Sequence, residues 1–270
     1  MKEKPVIGIL GCGWLGLPLA KELLRLGYRV KGTTTRKSKI NKLRDIGISA
    51  HVVKLTEDSI IGEVDEFLQD INCLIIDVPP GLRKNPKENF VKKMNHLFTE
   101  VEKSEVKHVI YVSSTSIFEE EENFPTYKEN DIPNATSSTA QQLIEVENLW
   151  QSSENFITAV VRFGGLVGED RHPVKYLAGR ENMKNPDAPV NLIEQNDAIR
   201  LLIRLVEKST SGIFHGVYPI HPSRDKYYSA AAKKRSLEVP LFDYSSISKG
   251  KKISSKKTSE TLSFELKFKP

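Results

Sequence analysis

The chain has little that would staple it or anchor it in a membrane, and only a small excess of positive over negative charge. Only two of its 270 residues are cysteines, Cys12 and Cys73. That is too few for a disulfide framework or a cysteine metal cage, so no metal site is expected and a reducing compartment suits them. No apolar run nears the roughly 20 residues of a membrane helix, and no membrane partner is expected. Met1-Lys2-Glu3-Lys4-Pro5 leads straight into the first apolar run, so no signal peptide is expected either, and the cytoplasm is the implied location. The net charge is a modest +5. Part of it sits in Lys249-Gly250-Lys251-Lys252 and Lys256-Lys257, interleaved with serines rather than aromatics. A nucleic-acid face combines basic residues with stacking platforms. The segment therefore reads as a solvated loop, the acidic run from Glu119 to Glu122 reads the same way, and nucleic acid is not expected as a partner.

What is present is an ordinary globular composition, 39% hydrophobic and 28% charged, on a chain long enough to bury a sizeable core. It begins with a marked stretch. Val6-Ile7-Gly8-Ile9-Leu10 is a short apolar run that ends in Gly11-Cys12-Gly13-Trp14-Leu15-Gly16, and Leu19, Leu23 and Leu26 follow at helical spacing up to Gly27. Strand, Gly-x-Gly-x-x-Gly turn and helix N-terminus stand in the order a dinucleotide requires. Gly11 makes the turn, Gly13 lets the backbone approach a pyrophosphate, and Gly16 lets helix and strand pack. The backbone of Trp14 and Leu15 lies between them. Glycines also punctuate plain turns; the flanking strand and helix favour the nucleotide. Cys12, inside the loop, reads as a small filler rather than a reactive thiol.

Tyr28 to Thr33 reads as a second strand. At the end of this strand an acidic residue meets the ribose of NAD, whereas an arginine accommodates the 2′-phosphate of NADP. The chain has no Asp or Glu from Tyr28 through Leu43 and offers Thr34, Arg36 and Lys37 instead. A generic polar loop would look similar, but the placement favours NADP over NAD. Further strands are expected at His51–Leu55, Cys73–Val78, Val109–Val112, Thr158–Arg162 and Gly212–Gly216. Helices are expected over Phe90–Val101, Thr139–Trp150, Asn196–Glu207 and Ser223–Arg235, with a short one from Ile40 to Ile46 and a polar tail. The alternation predicts a doubly wound parallel sheet. Ligands then sit at the strands' carboxyl ends, where Val78, Pro79 and Pro80 and the serines Ser113 and Ser114 also fall.

Four stretches taken in order resemble the extended short-chain dehydrogenase/reductases, the NAD-dependent epimerase/dehydratase group. They are the glycine loop, Tyr111 to Phe118, Arg162 to Gly168, and Val190-Asn191-Leu192-Ile193-Glu194-Gln195-Asn196-Asp197-Ala198. The resemblance implies a Rossmann-like fold, a nicotinamide cofactor and a small-molecule substrate. It also implies a catalytic serine or threonine with a Tyr-x-x-x-Lys pair on the following helix. Ser114 matches the serine. The family's glutamate, eight residues after its tyrosine, matches Glu147 and so puts Thr139 at the tyrosine position and Leu143 at the lysine position. A threonine is a very weak acid and a leucine supports none, so the usual general acid–base pair is missing. The glycine spacing departs as well, since extended members carry Gly-x-x-Gly-x-x-Gly.

Other groups near the implied substrate side are Arg171, His172 and Arg180. His172 is the candidate proton donor or acceptor, because imidazole titrates near neutrality. Arg171 and Arg180 are candidates for binding an anionic substrate. A surface loop with a Pro-capped histidine would account for the same residues. Residues 1–168, completed by about 190–216, are expected to form the NAD(P)-binding domain, with a small α+β lobe from 169–189 and 217–270. Two functions follow: an atypical oxidoreductase or epimerase, or a non-catalytic NADP(H)-binding redox sensor. The oligomeric state cannot be read from these residues.

Overall fold

The computed structural model describes residues 4–82 and 85–270; Met1 to Glu3, the beginning of the lead-in to the first strand, lie outside the described residues. In chain order the strands are β1 (Val6–Leu10), β2 (Arg29–Thr34), β3 (Ser49–Leu55), β4 (Ile60–Gly62), β5 (Cys73–Ile76), β6 (His108–Ser114), β7 (Thr126–Tyr127), β8 (Ile157–Phe163), β9 (Gly165–Val167), β10 (Leu192–Glu194), β11 (Gly212–Gly216) and β12 (Lys252–Ile253). The helices are α1 (Gly16–Arg25), α2 (Ile40–Arg44), α3 (Val64–Leu68), α4 (Phe90–Glu102), α5 (Ser138–Gln151), α6 (Val174–Leu177), α7 (Gln195–Lys208), α8 (Arg224–Lys234) and α9 (Lys256–Leu262).

Eight strands form one sheet in the order β11-β8-β6-β5-β1-β2-β3-β4. β1 pairs in parallel with both β2 and β5, β2 with β3, and β5 with β6, while β4 closes one edge antiparallel to β3. Every residue of β1 and β5 is buried, which explains why these strands are continuously apolar rather than alternating. The result is a Rossmann-like doubly wound sheet. Its strand order reverses between β1 and β5.

The chain divides into two compact units. Unit 1 comprises Met1–Ser113, Ser137–Val161 and Ile199–Ile213. In it α1 buries Leu19, Ala20 and Leu23 on one face and stops in a Schellman turn. Gly27 adopts φ +82°, its N–H reaches Leu24 O, and Tyr28 N–H reaches Leu23 O; a left-handed residue at this position suits glycine. α4 and α5 start at side-chain caps, Asn89 accepting from Lys92 N–H and Ser137 from Ala140 N–H. Trp150, fully buried on α5, packs edge-on against Phe98, with Phe156 beside both.

Unit 2 comprises Ser114–Thr136, Arg162–Ala198 and Phe214–Pro270. Its parallel pair β9–β10 packs with α6 and α8 through Val167, Val174, Val190, Leu192, Tyr228, Ala231 and Ala232. The polar tail carries more order than its composition predicts. It contains β12 and α9, and Ile253, Thr258 and Leu262 are buried. The reading of Lys249–Lys252 as a solvated loop is corrected here: Lys251 is 7% exposed, its Nζ donates to Phe118 O, and Lys252 begins β12 against β7. Two buried apolar residues, Ile253 and Leu262, decide this against the local charge. Glu119 to Glu122 are exposed, as expected.

One buried carboxylate ties the tail down. Glu129, 1% exposed, accepts from both Thr258 N–H and Thr258 Oγ1–H at 2.8 Å, and Thr258 Oγ1 in turn accepts from His215 N–H. Glu129→Ala leaves two buried donors unpaired and should destabilise the protein by about 3 kcal/mol. Urea denaturation of the variant against the parent measures the loss.

Candidate functional site

β1 and β5 flank the strand-order reversal, and an open α/β sheet binds ligands in the crevice outside the carboxyl ends there. The chain leaves β1 through Gly11, whose φ is +110° and whose missing Cβ would stand 2.3 Å from Asp77 O. A Cβ on Gly16 would stand 2.1 Å from Gly11 O. Both contacts are with backbone, so no side chain is accommodated at either position. Gly13 differs. Apart from its chain neighbours, no atom lies within 4 Å of the point its Cβ would occupy, and the loop is open on that face.

Thr33, 2% exposed, braces the loop from β2: Gly11 N–H donates to its Oγ1 at 3.0 Å and Cys12 N–H to its carbonyl at 2.9 Å. No spacing rule points to this residue, which acts from 22 positions away. α1 then opens with no side-chain cap and no acid in its first turn. The positive end of its dipole therefore faces the open side uncompensated. An uncapped helix N-terminus beside a loop with room for a close ligand is what a pyrophosphate requires, and the residues fit that group. Leu15 is buried, so only its backbone is offered. Cys12 packs its Sγ where Gly32 lacks a Cβ, and burial pushes its thiol up to about 12. It is a filler, not a nucleophile.

At the end of β2, Thr34 Oγ1 accepts from Arg36 N–H at 3.2 Å, and the Arg36 and Lys37 side chains are exposed. Val78 and Pro80 are half-buried after β5, and Pro79 is exposed. Ser113, near the end of β6, donates its hydroxyl to Glu147 Oε1 at 2.5 Å, with both residues buried. In unit 1 the glycine loop, Thr34 to Lys37, Val78 to Pro80 and Ser113 all follow or end the parallel strands β1, β2, β5 and β6 on their carboxyl side.

α5 reads Ser-Thr-Ala-Gln-Gln-Leu-Ile-Glu-Val-Glu-Asn-Leu-Trp-Gln, with neither tyrosine nor lysine. Thr139 is half-buried and Leu143 is 3% exposed; the two lie one turn apart, with Glu147 one turn further on. Ser114 belongs to unit 2. Its Oγ accepts from Ser116 N–H at 3.2 Å, which leaves its own hydrogen to be donated.

His172 does not sit where a proton donor would. It is 3% exposed, stacked on Tyr227 with ring centroids 5.8 Å apart. Val174 N–H donates to its Nδ1 at 3.2 Å, so the neutral ring carries its hydrogen on Nε2 and donates it to Tyr227 Oη at 2.9 Å. Burial, then the cations Arg235 and Lys175, push its pKa down to about 4. Both ring nitrogens are engaged inside unit 2, and the proton-transfer expectation does not fit this environment. Arg171 and Arg180 are exposed. Tyr127 is engaged with Glu121 and Asn134 and stacked on Phe118. His221 is bonded through Nδ1 to Val190 O.

A Rossmann-like sheet with an open glycine loop at its switch point defines a dinucleotide-fold α/β protein. Residues 7–200 match the model of the NAD dependent epimerase/dehydratase family, and the chain belongs to that family. It is 29% identical over 266 residues to Protein YeeZ of Escherichia coli (strain K12), covering 97% of this chain and 96% of that one. UDP-N-acetylglucosamine 4-epimerase from Bacillus cereus matches with TM-score 0.78 and 14% identity, over 98% of this chain and 95% of that one. MoeE5, solved with UDP-glucuronic acid and NAD, matches with TM-score 0.77 and 17% identity, over 97% and 94%. At such identities the two solved structures show a common fold. Among the described residues no helix is long and apolar enough to cross a membrane, and no cluster of His, Cys, Asp and Glu is arranged to hold a metal.

Two buried histidines set a pH dependence. His215, fully buried and bonded through Nδ1–H to Ser254 O, is also pushed down to about 4, by burial opposed in part by Glu129. Both rings hold protons less readily folded than at their ordinary 6.5. The unfolded chain therefore binds more protons between about 6.5 and 4, and stability falls as the pH falls through that window. The melting temperature should drop by several degrees from about pH 7.5 to about pH 5. A calorimetric series checks this, with a smaller drop expected for His172→Asn.

Proposed function

We propose that the protein binds NADP(H) on unit 1 and works as an atypical oxidoreductase or epimerase on a small anionic substrate. The observation that carries the cofactor choice is the pair of exposed cations, Arg36 and Lys37, at the end of β2. Over Tyr28 to Leu43 no acid is present to hydrogen-bond a 2′-hydroxyl or repel a 2′-phosphate. Gly11, Gly13, Trp14, Leu15 and Gly16 would hold the pyrophosphate, Thr34, Arg36 and Lys37 the adenosine end, and Val78, Pro79, Pro80 and Ser113 the rest. When bound, the nicotinamide supplies or takes up a hydride. On the protein's side, Ser114 has a hydroxyl hydrogen to give to a substrate oxygen, with Thr139 as the other hydroxyl candidate. Arg171 and Arg180 are suited to an anionic group. MoeE5, solved with UDP-glucuronic acid and NAD, supports the substrate class.

NADPH should raise the melting temperature more than NADH does. Arg36→Asp should weaken NADPH by about tenfold and remove or reverse the preference. Thermal-shift titrations with both cofactors test this, and equal shifts in the parent protein would rule the NADP assignment out.

A second reading, a non-catalytic NADP(H)-binding redox sensor, is favoured by the composition of α5. With leucine in place of a lysine and threonine in place of a tyrosine, general acid–base assistance worth roughly a hundred- to ten-thousand-fold is missing. Turnover of sugar nucleotides and simple carbonyls should be lower by about that factor than for a member with the pair. Residual turnover abolished by Ser114→Ala and kept in Thr139→Ala supports the enzyme with Ser114 as donor. No NADPH oxidation above the protein-free rate supports the sensor.

A further inference from the structure

The segment after β2 carries more positive charge than a single 2′-phosphate would use. From Arg36 to Arg44 it reads Arg-Lys-Ser-Lys-Ile-Asn-Lys-Leu-Arg, with cations at 36, 37, 39, 42 and 44. A 3₁₀ turn over Lys37–Lys39 runs directly into α2. Leu43 is buried and Ile40 half-buried; three residues apart, they turn one face of the segment toward the protein. The cations are left on the outside, and all of them are exposed.

No carboxylate of the protein answers them. Among the described residues none of these cations takes part in an ion pair, and the only acid from Tyr28 through Leu55 is Asp45. A solvated helix face ordinarily mixes the two signs. Lys42 and Arg44 stand in the last turn of α2, where a cation is favoured. Arg36, Lys37 and Lys39 stand at the other end of the helical stretch, where no acid is present and a cation meets the positive end of the dipole. Lys39 and Lys42 are like charges three residues apart, and such neighbours repel. Within the protein alone the arrangement is unfavourable; an anionic partner makes it favourable.

We infer that this face, from Arg36 to Arg44, docks an acidic segment of a partner protein, with carboxylates set against the cations. Lys39, Lys42 and Arg44 have no part in the cofactor reading, so the inference does not rest on it. Other polyanions match the face less well. A single-stranded nucleic acid uses aromatic side chains as stacking platforms, and no Phe, Trp or Tyr occurs from Arg29 through Glu66. A helix on a membrane surface buries its apolar face among the headgroups, whereas the apolar residues here, Ile40 and Leu43, are turned toward the protein. A peptide carboxylate needs neither feature. Charge-assisted hydrogen bonds from Lys and Arg hold it, and the exposed Ser38 and Asn41 add neutral partners.

Fluorescence anisotropy of a fluorescein-labelled octaglutamate peptide, titrated with the full chain and without cofactor, tests the surface. Saturable binding in the micromolar range is expected at about 20 mM salt, weakening about tenfold by about 300 mM as the charges are screened. Lys39→Glu with Lys42→Glu should weaken it about tenfold or more, because attractions become repulsions. Both positions are exposed and Ile40 and Leu43 stay in place, so the fold is kept. Lys233→Glu with Lys234→Glu, an equal reversal at exposed positions on α8, should leave the affinity unchanged. No saturable binding, or equal weakening by the two reversals, would overturn the inference. Tighter binding of a short DNA duplex or of phosphatidylserine vesicles, lost in the Lys39→Glu, Lys42→Glu variant, would also overturn it and assign the face to nucleic acid or to a bilayer.

Discussion

Unit 1 depends on one close approach of backbone to backbone. The end of β1, the start of α1 and the loop after β5 meet at distances that leave no room for a Cβ on Gly11 or Gly16. That contact brings the N-terminus of α1 to the carboxyl end of β1, at the point where the sheet reverses its order. Thr33 then braces the loop with two hydrogen bonds from the neighbouring strand. A larger residue at either glycine would push the helix off the sheet and lose both the packing of Leu19 and Leu23 and the aim of the helix dipole. Gly13 is glycine for the opposite reason: its missing side chain leaves space for a ligand.

Unit 2 is held by other means. Its strands are short, and much of its order comes from buried or half-buried side chains that bond backbone: Glu129 to Thr258, Asp197 to Lys267 and Phe268, Lys251 to Phe118, Asn191 to Ile253 and Lys251. Low dielectric strengthens such bonds and makes each one expensive to break. It also disfavours the charged forms of the titratable groups buried there. His172, His215, Lys251 and Tyr227 are all shifted toward their neutral forms by burial. Chemistry that the residue types advertise is thereby withdrawn from use, and His172 is the clearest instance.

α5 in unit 1 also carries a buried carboxylate in a structural role. The helix keeps the carboxylate that receives the Ser113 hydroxyl, which ties the end of β6 to the helix. It has no ionisable side chain one turn earlier, where Leu143 is buried.

The sequence by itself determined the parallel sheet, because each buried strand is an apolar run and each helix carries its own period. β11 was legible to the residue, and α5, α7 and α8 to within one at each end, since caps and periodicity are local. The glycine loop was legible for the same reason: its three glycines answer contacts made within a few residues. Tertiary structure alone decided what depends on groups far apart in the chain. β4 and α3 carry too short a pattern to read, and the order of the tail rests on a carboxylate 129 positions from its partner. Thr33 bracing Gly11, and His172 bound to Tyr227 across 55 positions, left no mark in any spacing. Burial and hydrogen-bond partnership are properties of the packed chain. Whether a histidine is a catalyst or a neutral core ring is decided by what surrounds it.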